Sequence, residues 1–178
     1  MERREKLITW VAERHARQRI KKTGKPYMAH LQTVAEQVRG YGSLTFEIGL
    51  CHDLLEKTKT SAEKFRQALL DMGYDQPETE HIVNCVIELT DQFTKKAYPE
   101  LRKLQRKTWE DARLLQISAD AQTVKYADLL YNAEWMLEHD REHAGDYFKR
   151  KLELLSQMNN GNAELCNLVK EKLSTNFP

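Results

Sequence analysis

The chain has 178 residues, 40% hydrophobic and 31% charged, the size of one ordinary domain with enough apolar side chains for a buried core and a cleft. Its 28 lysines and arginines against 27 aspartates and glutamates leave a net charge of +1, which excludes a global field that would recruit DNA, an RNA duplex or an anionic membrane. No run approaches the roughly 18 apolar residues needed to cross a bilayer, and Met1-Glu2-Arg3-Arg4-Glu5-Lys6 leads into an amphipathic pattern and not a signal-peptide core, so a cytoplasmic protein is expected.

Glycine and proline are scarce, and apolar residues recur at three- and four-residue spacing almost throughout, which predicts an all-α bundle of about eight or nine helices in one domain spanning 1–178. In chain order the helices are expected over 2–20, 27–40, 44–57, 60–72, 77–91, 98–117, 119–139, 143–158 and 161–174. Pro26 suits the first turn of the second, Gly40-Tyr41-Gly42 stops it, and Thr45 or Ser43 can cap the third. Thr60-Ser61-Ala62-Glu63 reads as a capping box in which Glu63 returns to the Thr60 amide, and Gly73 ends that helix. Cys51, Cys85 and Cys166 are odd in number and widely spaced, with no Cys-x-x-Cys, which predicts reduced thiols and no zinc knuckle.

The chemistry concentrates in the third predicted helix. His52-Asp53 lies inside the apolar stretch Phe46-Glu47-Ile48-Gly49-Leu50-Cys51-His52-Asp53-Leu54-Leu55-Glu56, where a carboxylate is costly unless it is paired or holds a cation. His30 and Asp128 stand in equally apolar company. Two imidazoles and two carboxylates form a mixed nitrogen and oxygen shell suited to a borderline divalent ion such as manganese, iron, cobalt, nickel or zinc. Successive side chains on a helix are separated by about 100°, so His52 and Asp53 share an ion only if it sits beside the helix between them, with His30 and Asp128 arriving from other helices. Glu56 projects one turn further on, within reach of a water on such an ion. Lys125 and Asn132 flank Asp128 by about one turn on either side. His15, His81, His139 and His143 read as helix-surface or helix-end residues, and Arg17-Gln18-Arg19-Ile20-Lys21-Lys22 reads as a basic helix end bordering a phosphate pocket.

Three segments, Gly24-Lys25-Pro26-Tyr27-Met28-Ala29-His30, His52-Asp53-Leu54-Leu55-Glu56-Lys57-Thr58 and Lys125-Tyr126-Ala127-Asp128-Leu129-Leu130-Tyr131-Asn132, occur in an order and spacing that resemble the HD-domain phosphohydrolases. Within that superfamily the chain is most similar to the small alarmone hydrolases, single-domain guanosine polyphosphate 3′-pyrophosphohydrolases related to the hydrolase half of the stringent-response enzymes. The resemblance spans roughly residues 8–140. It implies an all-helical HD fold, a divalent metal ion, Mn2+ first among candidates, held by His30, His52, Asp53 and Asp128, and release of pyrophosphate from the 3′ position of a ppGpp-like nucleotide. By the same resemblance Glu56 handles the proton, Tyr131 and Asn132 contact ribose or phosphate, and Lys21, Lys22, Tyr27, Lys57 and Lys125 complete the substrate contacts.

The chain departs from the family pattern at positions that bear on substrate. Lys57 stands where the family usually carries an aspartate, exchanging a water-orienting carboxylate for a cation. Leu129 replaces a basic residue, and Lys21-Lys22-Thr23-Gly24 lacks the arginine whose planar group can stack on a base. The segment between His15 and Gly24 is one residue longer than the family's. Two rival readings accordingly stand beside the pyrophosphohydrolase: another HD activity such as a nucleoside monophosphatase, and a nucleotide sensor without turnover.

Overall fold

A computed structural model describes residues 2–175. Among them are ten helices: α1 (Arg3–Arg14), α2 (Met28–Gln37), α3 (Thr45–Cys51), α4 (Leu54–Lys57), α5 (Ala62–Met72), α6 (Gln76–Leu89), α7 (Lys103–Leu114), α8 (Ala119–His139), α9 (Arg141–Gln157) and α10 (Ala163–Thr175). The sole β pairing among the described residues is an isolated bridge between Arg19 and Pro26. No helix among them is long and apolar enough to cross a membrane.

The 21-residue α8 is the axis of the bundle, packing against α2, α3, α6, α9 and α10. Its buried positions include Ala121 to Val124, Tyr126 to Leu130 and Ala133, which run nearly all round the helix and so place it inside the core instead of on its surface. Asp128 is therefore carried into the interior by its neighbours. Helices α2 and α3 approach closely because Gly49 has no side chain: a Cβ there would meet the Ala35 Cα and Val38 Cγ2, each at 3.0 Å. That contact seats His30 of α2 beside His52 at the end of α3.

Several predicted boundaries are corrected. The first helix ends at Arg14, not near residue 20: Ile20 and Gly24 pair back on Lys25 and Ile20 carbonyls at 2.9 Å, and Lys22 and Gly24 adopt positive φ, so residues 15–27 form a tight strap. The basic run looked helical because charge at a helix end and charge in a turn have the same composition. The predicted helix over 44–57 breaks at His52-Asp53, where Asp53 takes φ −99 and ψ 2 and becomes the first flanking residue of α4. The predicted 98–117 helix starts only at Lys103; Pro99 restrains the residue before it, and Phe93, Tyr98 and Trp109 cluster instead, with Phe93 5.1 Å and 5.4 Å from the other two rings. Neither Ser43 nor Thr45 caps α3; the Thr45 hydroxyl donates to the Val38 carbonyl. Ser61 caps α5 by accepting from the Lys64 amide, so the Thr60–Glu63 box does not form, whereas Asp75 and Glu78 make a capping box on α6 that was not anticipated. Gly73, at φ 99, ends α5 as expected. Cys51, Cys85 and Cys166 are buried free thiols.

Because Ala35 presents main chain to Gly49, a methyl group added there cannot be absorbed by a side-chain rotation. Gly49→Ala is expected to lower stability by about 1–3 kcal/mol, the usual range for overpacking, as measured by urea unfolding.

Candidate metal and active site

His30, His52 and Asp53 offer ligand atoms that all lie within 4.8 Å of one another, and Asp128 stands beside the two histidines. His30 Nε2 lies 3.2 Å from His52 Nε2, 3.8 Å from Asp53 Oδ2 and 3.6 Å from Asp128 Oδ1. His52 Nε2 lies 3.4 Å from Asp53 Oδ2 and 3.8 Å from Asp128 Oδ1. Both imidazoles are buried. The helix break explains how adjacent residues reach one point: with Asp53 outside helical geometry, its carboxylate swings toward the His52 ring instead of pointing about 100° away.

His52, Asp53 and Asp128 are each oriented by a second partner, whereas the buried Nδ1 of His30 has none. His52 Nδ1 lies 2.7 Å from the Gly49 carbonyl, which can only accept, so Nδ1 carries the hydrogen and Nε2 offers a lone pair. The Tyr27 hydroxyl donates to Asp53 Oδ2, and Asn132 Nδ2 donates to Asp128 Oδ1 at 2.8 Å. Lys125 Nζ donates to Asp128 Oδ2 at 2.8 Å. Burial opposes the Asp128 charge, yet Lys125 and then the two histidines outweigh it and hold the carboxyl well below the usual carboxylate range. Asp53 is also held low: burial opposes ionisation, but His52 and the Tyr27 hydrogen bond prevail despite Asp128. His30 moves the opposite way for an imidazole, pushed down to about 4 by burial first and then by His52, so it is neutral at pH 7. The result is a neutral His30, a His52 whose Nε2 turns toward it, and two carboxylates facing one another, a donor set that accepts a cation.

The other anticipated residues fall into three places. Glu56, on α4, is tied through Oε1 to the Lys57 ammonium, while the Asp91 amide points to its Oε2 at 3.5 Å. A cavity of about 270 Å³ opens beside His30 and is lined by Arg19, Ile20, Lys21, Tyr27, Tyr131, Asn132 and Trp135. The Tyr131 ring sits 4.3 Å from that of His30. Lys22 is turned away: its ammonium bonds the His139 carbonyl at 2.7 Å and Asp140 Oδ1 at 3.2 Å, latching the strap to the end of α8. Gln18 makes a second latch, donating to the Lys57 carbonyl at 2.6 Å. His15 does end α1, but it is buried, its ring stacked at 5.6 Å on Tyr27.

Trp135 was missed by sequence reasoning, and Arg19 entered it only as part of the basic run expected to border a phosphate pocket. Trp135 had a signal, one turn after Tyr131 on the same face of a long helix. Arg19 lines the cavity as a member of the basic run, with its guanidinium donating to the Ala16 and Gln18 carbonyls at 2.9 and 3.0 Å.

Fold and site together define an all-helical bundle with a buried two-histidine, two-carboxylate cluster beside an aromatic-lined cavity. No protein-family model matches the chain, and no curated protein matches it by sequence. A solved structure does resemble it, that of a protein described as a metazoan orthologue of SpoT that hydrolyses ppGpp and plays a role in starvation responses. The TM-score is 0.76, over 99% of this chain and 94% of that one, at 22% sequence identity. At that identity the likeness establishes a shared fold.

The sign of the His30 shift gives a test of the cluster. His30 is depressed from near 6.5 to about 4, so the folded state refuses a proton that the unfolded chain takes up. Stability from this group is fully present above pH 6.5 and is lost as pH falls from there toward 4. Chelator-treated protein is expected to show that decline in urea titrations at stepped pH, and His30→Asn is expected to flatten it.

Proposed function

We propose that this chain is a metal-dependent nucleotide phosphohydrolase, and that it releases pyrophosphate from the 3′ position of a guanosine polyphosphate of the ppGpp type. The observation that carries the reading is the convergence of His30, His52, Asp53 and Asp128. Bonds of about 2.1 Å to a common centre place cis or tetrahedral donors about 3.0–3.4 Å apart, and the closest donor separations here, 3.2 and 3.4 Å, fall in that range. Two imidazoles, two oriented carboxylates and no thiolate among the four fit a divalent ion of the manganese class. The fold shared with a ppGpp-hydrolysing protein supports the substrate.

When bound, such an ion lowers the pKa of water and neutralises phosphate charge. The chain's own groups do the rest. Glu56 accepts the proton of the attacking water at its carboxylate and returns it to the departing 3′ oxygen. Tyr27 and Asn132 hold Asp53 and Asp128 in place through single hydrogen bonds. Tyr131, Trp135 and Arg19 form walls on which a base stacks, and Lys21 meets phosphate at the mouth. Lys125 balances Asp128 and offers its remaining donors to the phosphate side. The pairing of Lys57 with Glu56 favours one second reading, a sensor that binds the nucleotide without turning it over.

Purified protein with Mn2+, screened against guanosine and adenosine nucleotides bearing 3′ and 5′ phosphates, is expected to yield pyrophosphate from the guanosine 3′-diphosphates. Orthophosphate in its place would point to a monophosphatase, and binding without product to the sensor. Asp53→Ala and Asp128→Ala are expected to lose the metal by elemental analysis; full retention in both would sink the four-ligand assignment. Glu56→Gln is expected to keep the metal and lose about 10²–10⁴ in kcat, the span of a general base.

A further inference from the structure

A second cavity lies on the side of Asp128 away from the histidines. Asp128 turns Oδ1 toward His30 and His52, while its Oδ2 accepts from Lys125, and Lys125 lines a cavity of about 250 Å³. The loop after α6, α7 and α9 supply the other walls, and no residue is shared with the cavity beside His30. Pockets that enclose drug-sized molecules run to roughly 300–1,000 Å³, so this one suits a small ion better than a nucleoside.

Charge in this cavity is out of balance. Seven basic side chains line it against three carboxylates, and two of those carboxylates are already engaged. Glu110 accepts from the Gln92 and Phe93 amides, each at 3.0 Å, and from Arg113 at 2.7 Å, so it serves the loop and a cation outside the cavity. Asp111 accepts from Lys151 Nζ at 3.1 Å, while Arg150 Nε stands 3.7 Å from its other oxygen, beyond hydrogen-bond reach. With Lys125 taken up by Asp128, only Asp91 is left to offset Lys95, Lys103, Arg106 and Lys107. Among the described residues neither Lys103 nor Lys107 makes an ion pair.

The buried wall points the same way. Lys151 is 7% exposed, and Arg150 Nε is buried with no hydrogen-bond partner. Burial and then Lys125 push Lys151 down to about 8 against the pull of Asp111, and burial, Arg150 and Lys103 lower Lys107 as well. Buried cationic donors short of acceptors are costly beside further cations, and an anion among them removes that cost.

We propose that this cavity is a binding site for a small inorganic oxyanion of the phosphate class, phosphate or pyrophosphate, separate from the metal cluster. Lys151 and Arg150 supply donors from the buried wall and Lys103 and Lys107 from the exposed one, a mixture of ammonium and guanidinium groups that suits phosphate oxygens. The site is a property of the chain's charges and does not depend on the proposed hydrolysis.

The test is calorimetric titration of sodium phosphate and sodium pyrophosphate into the full chain with no metal added. Binding is expected in the parent and is expected to weaken by about 10–100-fold in Lys107→Glu and in Lys151→Met, the worth of a charge-assisted hydrogen bond. Lys107 is exposed, so its variant gives a reading even if Lys151→Met fails to fold. Lys149→Glu makes the same charge change on α9 at an exposed position outside the cavity, and screening is expected to hold its effect below about threefold. Asp53→Ala, altered in the metal cluster, is expected to bind pyrophosphate as the parent does. No binding in the parent, equal weakening by Lys107→Glu and Lys149→Glu, or loss of binding in Asp53→Ala overturns the proposal. So does a Lys107→Glu variant that binds a guanosine polyphosphate more weakly by the same factor as pyrophosphate, since the cavity would then hold the nucleotide's own phosphates.

Discussion

Two imidazole nitrogens 3.2 Å apart, with a carboxylate oxygen within 3.8 Å of each on two sides, form a buried polar arrangement that a positive charge among them stabilises. Much of the bundle serves to hold that arrangement. The α3 helix stops one residue early so that His52 and Asp53 point the same way, Gly49 lets α2 come close enough to bring His30, and α8 runs through the core so that Asp128 enters from the far side. Local helical continuity is given up at His52-Asp53, and the surrounding apolar packing of Leu50, Cys51 and Leu54, all fully buried, offsets the cost.

Outward from the cluster, charge is arranged in pairs that each do one thing. Lys125 meets Asp128 with little exposure on either side chain, so this pair is strong as a unit and costly to break singly. The strap over residues 15–27 shows how a basic segment divides its cations: Lys22 is used to fasten the strap to α8, while Arg19 and Lys21 remain at the cavity mouth. The strap also reaches the opposite end of the site, since Gln18 holds the Lys57 carbonyl. One short segment thus touches both the cavity beside His30 and the main chain next to Glu56.

Helical class, the two-residue core of the site and the identity of the four inward donors were legible in the sequence, because each is a local conflict: a polar side chain set among apolar ones at helical spacing needs a partner wherever the chain goes. Lys125 and Asn132 were legible from lying about one turn from Asp128, whereas Tyr27 and Tyr131 were named through the resemblance. What the sequence could not decide was every feature that depends on a residue distant along the chain. Whether 15–27 continued a helix or folded back turned on the latches to Lys57 and His139, and the helix break at Asp53 turned on the donors that Asp53 had to meet. The Asp91 amide meets Glu56 across 35 positions, in a loop between α6 and α7 that Glu110 and Arg113 hold. Local periodicity determines which side chains turn inward; which of them meet, and what charge each then feels, is fixed by packing between helices.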